Sequence, residues 1–436
     1  MKVGFVSLGC SKNLVDSEMA IGLFKSHGLE IVNDPKKAEV IVVNTCGFID
    51  SAKEEAINTI LEMAEYKKNG NCKYLIAMGC LVQRYKVDLE KTLPEVDLFL
   101  SLDEYNNIWS KVSKLIKEED NTYGDLNYLD RVITTGGSTA YLKIAEGCSN
   151  NCTYCAIPYI RGPFVSRKLE DILEEAEKLV GSGIKELIVI AQDTTKYGLD
   201  LYGEAKLPEL LNRLCKIDKL VWVRFLYAYP ESITEELIKV VKENKKICNY
   251  FDIPIQHISD KVLKRMNRKS DGKSIKMLIE NIRKEIPDVI LRTSLIVGFP
   301  GETEEDFKEL YNFVKETRFN KLGVFQYSKE DGTPAQRLKE QIHGQTKKAR
   351  WNKIMEVQQN ISKEILKEKI GKEYFAIVEN TTVDGKQYIA RTFMDVPDMD
   401  GVLYIENNSK ENIKLGTIVK CKITGILEYD LVGEIV

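Results

Sequence analysis

Tyr141-Leu-Lys-Ile-Ala145, followed by Cys148-Ser-Asn-Asn-Cys152-Thr-Tyr-Cys155, decides the architecture of this chain. The apolar run reads as a strand, and three thiolates come directly after it, spaced so that one short loop can wrap a single iron–sulfur cube. A cubane takes four cysteine ligands. This loop supplies three, leaving one iron open to a small molecule, as catalytic metals keep one position open. Two plainer uses compete. Structural zinc wants four ligands, and no other Cys or His lies close enough in sequence to complete the set. A disulfide would use two thiols and strand the third. The spacing favours a cluster over zinc but does not by itself exclude zinc.

Around this loop lie 436 residues, too many for one ordinary core, so two or three domains are expected. Net charge is −3, with 30% charged and 43% hydrophobic residues, the balance of a soluble globular protein. Such a charge gives nucleic acid no support as an obligate partner; contact with it stays open but is not favoured. No apolar run approaches the roughly 20 residues of a membrane span, and the N-terminus lacks a signal peptide's three-part form. The expected location is cytoplasmic, with the ten cysteines as thiols or metal ligands rather than disulfides.

In residues 1–130, strands are expected at Val3–Ser7, Glu39–Asn44 and Tyr74–Met78, each followed by a helix, at about 16–26, 51–66 and 81–89. Continuous apolar strands alternating with helices indicate a parallel sheet covered on both faces. Cys10, Cys46 and Cys80 each follow one of these strands. In an open parallel sheet such turns share one edge, where ligands bind, so the three thiols are expected to converge on a second, three-cysteine cluster. A free cysteine is most often a small buried hydrophobe, and Cys72, Cys215, Cys248 and Cys421 are assigned that role.

The central loop, with Tyr154 just before its last cysteine, resembles the signature of the radical S-adenosylmethionine (SAM) enzymes. Gly9-Cys10-Ser-Lys-Asn13-Leu-Val-Asp16-Ser-Glu18, Asn44-Thr-Cys46 and Gly79-Cys80 resemble the N-terminal domain of the methylthiotransferases within that group. The resemblance implies two [4Fe-4S] clusters, with Cys148, Cys152 and Cys155 holding the catalytic one and Cys10, Cys46 and Cys80 the other. It implies that SAM, cleaved at the first cluster, yields a radical that takes hydrogen from the substrate. A methylated sulfur held at the second cluster then closes the new bond. A flavodoxin- or ferredoxin-type donor would supply electrons.

Six apolar strands can be read between 132 and 335: Tyr141–Ala145, Glu186–Ala191, Trp222–Tyr229, Tyr250–Ile255, Val289–Val297 and Lys321–Tyr327. With the intervening helical patterns they make a (β/α)6 partial TIM barrel, whose chemistry belongs at the C-terminal ends of its strands; the family has this barrel. Ser166 is expected to cap one helix, and Thr303 with Asp306 to form a capping box on another. Polar residues gather at the strand ends, Gln192, Asp193, Tyr227, Tyr229, Gln256, His257, Gln326 and Tyr327 among them. His257 is expected to be a hydrogen-bonded residue of the mouth. Arg292, inside an apolar strand, needs an anion; either SAM or substrate, or a barrel carboxylate, could supply it. Gly298, in Ile296-Val-Gly298-Phe-Pro-Gly301-Glu302, matches the family's segment beside the SAM adenine. Tyr154, Gln192, Arg292 and Gly298 are thus the candidate SAM contacts.

Residues 336–371 read as a lysine-rich helical connector, with Ile354, Val357, Ile361 and Ile365 along one core-facing stripe. Residues 372–436 read as a small antiparallel β-barrel that resembles the TRAM module. Its residues 373–436 carry 6 Lys and Arg against 11 Asp and Glu, a net −5, which suits a basic protein better than RNA. The motifs Ser7-Leu-Gly-Cys10-Ser-Lys-Asn13, Cys46-Gly-Phe-Ile-Asp50, Gln192-Asp-Thr-Thr195 and Tyr227-Ala-Tyr229-Pro230 resemble the branch acting on an aspartate β-carbon of ribosomal small-subunit protein twelve, rather than the tRNA-adenosine branch. Ser11 departs from that branch's proline after the first cysteine.

Overall fold

The computed structural model describes residues 1–117, 125–407 and 413–436. Val, Ile and Leu runs bounded by Gly and Asn turns give the first domain five parallel strands. Across the sheet they run Glu30–Ile31, Lys2–Ser7, Val40–Thr45, Tyr74–Gly79 and Leu98–Leu100. The two short edge strands, at 30–31 and 98–100, were too brief to announce themselves in sequence. Residues alternate between two faces. Ile41, Val43, Leu75 and Ala77 meet Ala56, Ile60, Leu81 and Val82 on one side. Val40, Val42, Ile76 and Met78 meet Ala20, Phe24, Trp109 and Val112 on the other. In this strand order the chain reverses direction between Lys2–Ser7 and Val40–Thr45, the crevice where open α/β sheets bind ligands.

The second unit is an open arc of six parallel strands. Thr139–Lys143, Glu186–Ile190 and Trp222–Phe225 form one group. Tyr250–Asp252, Ile290–Val297 and Lys321–Gln326 form the other, and a bridge between Val223 and Ile247 joins them. Helices Leu169–Gly181, Leu207–Leu214, Glu235–Glu243, Gly272–Glu285 and Glu304–Thr317 cover the outside in one apolar layer. The helix Gly344–Lys367 lies on the last strand, with Ile354 and Ile361 buried in that layer and Trp351 Nε1 donating to the Val324 carbonyl at 2.8 Å. It completes the sixth βα unit.

Thr303 and Asp306 form the capping box expected of them. Ser166 does not cap its helix, which begins after Lys168. Instead Ser166 pairs with Ala145 in a short antiparallel ladder, and its Oγ donates to Asp200 at 2.6 Å. The charged acceptor outbids a helix amide. The strand expected to reach Tyr229 stops at Phe225, ahead of Tyr227 in left-handed backbone with φ of 62°, and the one expected to reach Ile255 stops at Asp252, ahead of Pro254, which has no amide to give the ladder.

The last domain closes into a five-stranded barrel of Glu373–Thr381, Gln387–Thr392, Leu403–Glu406, Leu431–Ile435 and Ile418–Ile426 in that order. Four of its pairings are antiparallel, while Leu403–Glu406 runs parallel to Leu431–Ile435. Its core residues Ala376, Val378, Met394 and Val396 join Tyr141, Ile188, Trp222 and Tyr250 in one apolar cluster, so this barrel plugs the arc's interior. The plug is keyed by charge. Glu186, fully buried, accepts from Arg224 Nε at 2.9 Å and from Arg391, and Arg391 also pairs with Glu379 at 2.7 Å. The two guanidiniums hold the Glu186 carboxyl below its usual range despite burial. Removing one member strands the others in a dry core, so Arg391→Met is expected to cost about 3–5 kcal/mol, read as a lowered urea unfolding midpoint.

Candidate active site

Both sets of strand-end turns meet at one seam. Gly147, at φ 72°, leads into the first loop; a Cβ there would lie 2.0 Å from the Pro163 carbonyl, so the tight turn demands glycine. The loop is then pinned from several sides. The Thr153 amide and hydroxyl donate to the carbonyls of Met266 and Arg265 at 3.1 and 2.8 Å, and Asn150 Nδ2 donates to Asp193 at 2.8 Å. Arg268 lies over the Tyr229 ring at 4.3 Å and brings Nη1 within 3.8 Å of Cys152 Sγ. Burial pushes the Cys155 thiol up to about 12 and raises Cys148. Opposing that, the amides of Ile157 and Asn150 and the charges of Arg268 and Lys196 favour the thiolates. Amide bonds to sulfur and nearby cations are what a cluster's ligands need.

The other three cysteines also converge. Asn13, on the first helix, touches all three turns: its Nδ2 donates to the Leu8 and Thr45 carbonyls at 3.1 and 2.9 Å, and its Oδ1 accepts from Cys80 Sγ at 3.4 Å. At Gly9 (φ 86°) a Cβ would lie 2.8 Å from that of Cys46. Burial raises Cys46 and pushes Cys80 up to about 12; each feels the charge of Cys10, and Arg161 favours both thiolates. Among the described residues no three of Cys, His, Asp and Glu gather tightly enough to grip one metal ion; a cubane puts a separate iron on each thiolate and needs its ligands farther apart.

The two trios share a wall. Cys80 packs against Ala156, the residue after Cys155, and Ile160. Arg161 donates to Asn13 Oδ1, to Asp16 at 2.9 Å and to Glu146 at 2.8 Å. Lys143 pairs with the same two carboxylates. None of Asn13, Asp16, Glu146, Arg161 or Arg268 was singled out in sequence as a site residue. The first two stood inside a quoted motif, and Glu146 and Arg161 merely flank the cysteine loop.

Of the other candidates, Gln192 donates to Glu146 at 3.0 Å while its Oε1 is buried with no partner, an acceptor left for a ligand. Tyr154 packs against Val262, Met266 and Phe299, and burial keeps its hydroxyl protonated. The Gly298 amide is taken by Glu302 at 2.5 Å, and a Cβ there would strike Lys347 Cγ at 2.3 Å. Arg292 is met inside the protein by Asp252 at 2.8 Å and Asp400 at 3.7 Å, the barrel-carboxylate alternative. His257 Nδ1 accepts from the Ser259 amide at 3.0 Å, and burial lowers the ring to about 3, so it carries no charge.

Family models match three segments: radical SAM superfamily over residues 142–314, uncharacterized protein family UPF0004 over 2–101 and TRAM domain over 370–436. Among solved structures, the radical SAM methyltransferase TsrM from Kitasatospora setae superposes with a TM-score of 0.57 at 12% identity, covering 77% of this chain and 76% of its own. The cobalamin-dependent SAM radical enzyme OxsB gives 0.53 at 14%, covering 83% and 56%. Fold and domain content thus define a radical-SAM enzyme. A protein of Alkaliphilus oremlandii (strain OhILAs) named ribosomal protein uS12 methylthiotransferase RimO is 66% identical over 435 residues, 100% of this chain and 99% of that one. Proteins of the same name from Acetivibrio thermocellus and Clostridium botulinum are 51% identical, each covering 100% and 98%. The chain belongs to the RimO family of radical-SAM methylthiotransferases.

Because Arg161 and Asp16 clasp the two domains, they should act as a unit. A double-mutant cycle with Arg161→Met and Asp16→Asn is expected to return a coupling energy of about 1–3 kcal/mol in urea unfolding; additive losses would mean that the clasp is not a unit.

Proposed function

We propose that this protein adds a methylthio group to the β-carbon of an aspartate in ribosomal protein uS12, in the cytoplasm, using SAM and two [4Fe-4S] clusters. The observation that carries this is the shared wall: Cys80 against Ala156, with Arg161 tying Asn13 to the loop of Cys148, Cys152 and Cys155. Cysteines in two domains, more than 60 residues apart in sequence, come to one seam, as a reaction joining two reactive groups requires.

Cys148, Cys152 and Cys155 would hold the cluster that engages SAM, and Cys10, Cys46 and Cys80 the second. When bound, these groups supply one-electron cleavage of SAM and delivery of a methylated sulfur, with electrons from a flavodoxin- or ferredoxin-type donor. The chain's own residues bind, orient and exclude water. Arg268 stabilises the Cys155 thiolate, Lys196 that of Cys148, and Arg161 those of Cys46 and Cys80. Gln192 offers its unused Oε1 to SAM, and Tyr154 a neutral hydroxyl. The apolar plug closes the floor of the barrel and keeps the chamber dry.

Anaerobically loaded protein is expected to form 5′-deoxyadenosine from SAM and to give uS12 the mass of one methylthio group. Alanine at Cys148, Cys152 and Cys155 should abolish SAM cleavage. Alanine at Cys10, Cys46 and Cys80 should remove roughly half of the iron, keep SAM cleavage and stop sulfur insertion; undiminished methylthiolation would sink the two-cluster scheme. Modification of tRNA adenosine in place of uS12 would overturn the substrate.

A further inference from the structure

Among the described residues at this seam, Lys12 is a buried cation with no carboxylate of the chain against it. Its side chain is 6% exposed, in the first turn of the helix Ser11–Ser26, where the helix dipole disfavours positive charge. Among the described residues no carboxylate lies within ion-pair distance of it. The acid one turn along its own helix, Asp16, is taken by Lys143 and Arg161. Its contact is the face of Tyr227, 3.1 Å from ammonium to ring centre. A ring face offsets only part of the cost of burying an ammonium. The buried Lys143, Arg161, Arg224 and Arg391, and the half-buried Arg292, all have carboxylate partners.

Its position gives the missing anion a purpose. Lys12 is two residues after Cys10. Tyr227 is two residues before Tyr229, whose ring carries Arg268, which in turn reaches Cys152. The ammonium therefore sits where the strand-end turns of the two domains meet. Tyr227 reaches it from a left-handed backbone that few tyrosines adopt, a strain typical of functional positions.

We propose that Lys12 binds the side-chain carboxylate of the substrate aspartate and is the residue by which the enzyme selects an acid over its amide. The inference rests on the proposed function. In aspartate the carboxylate is bonded directly to the β-carbon, so a carboxylate anchored on a rigid helix turn fixes the carbon that is to be substituted. A charge-assisted bond in a dry site is strong, and a site built around one rejects the analogue that cannot make it.

The test uses the iron-loaded full-length enzyme and two forms of recombinant uS12, native and with the target aspartate changed to asparagine. Affinity is read by anisotropy and turnover by mass spectrometry. Wild type is expected to prefer the aspartate form by on the order of 100-fold. Lys12→Met should bring that preference within a few-fold, while Lys12→Arg, which keeps the charge, should retain at least about tenfold. Iron content and thermal unfolding establish that each variant is loaded and folded. If wild type shows no preference, or Lys12→Met keeps it, the assignment of Lys12 is overturned while the uS12 activity stands. If wild type leaves native uS12 unmodified, the functional proposal falls and Lys12 with it.

Discussion

The seam between the first domain and the partial barrel rests on four charges, three of them buried and Glu146 at the rim. Asp16 accepts from Lys143 and Arg161, and Glu146 faces the same two cations. Burial alone would push Lys143 and Glu146 toward their neutral forms, yet the mutual field wins: Lys143 is held above its usual range and Glu146 below. Desolvating such groups costs several kcal/mol per ion, so the cluster is a poor device for stability and a good one for register. Asp16 lies six residues after Cys10 and Arg161 six after Cys155. The ion pair therefore sets the offset between the two cysteine trios, and Asn13, held by Arg161, carries that offset into the three turns.

Beneath the seam, the terminal barrel does the complementary task of closing the floor. Part of its acidic excess is spent there. Glu379 serves Arg391, Asp395 serves Lys321, and Asp400 accepts from Tyr250 and faces Arg292. The net −5 is therefore not all available to a basic partner. Asp384, Glu428 and Glu434 remain outward. Charge counted along a sequence measures a domain's total, whereas a partner meets only what the packing leaves exposed.

The same distinction explains what was legible in the sequence. Apolar strands followed by helices are local patterns, so the strand-end placement of Cys10, Cys46 and Cys80 could be read, and their convergence followed from the topology of a parallel sheet. Pairings were not legible. Asn13 and Arg161 are 148 residues apart, and Arg391 and Glu186 are 205 apart. Ser166 looked like a cap because nothing near it shows that Asp200, 34 residues on, would claim its hydroxyl. For Arg292 the local rule held, since a charge in an apolar strand needs an anion, but the anion's identity lay 40 residues away in Asp252.

That last pair links the floor to the seam. Arg292 stands between Asp400 of the plug and Asp252, and Asp252 in turn accepts the amide of Tyr227 at 3.0 Å. Thr194 donates to the Tyr227 carbonyl at 3.2 Å, so both backbone groups of a left-handed tyrosine are used. Such a conformation costs about 1–3 kcal/mol and persists only where its surroundings over-determine it. Gln256 is held the same way, by Ser294 and Ile296. Had the strand run on to Tyr229, side chains would have alternated between core and outer layer. Breaking it at Phe225 frees the ring of Tyr227 to face the first domain, where it meets Lys12. A charge in the terminal barrel is thus connected to a ring at the seam through one arginine and one aspartate.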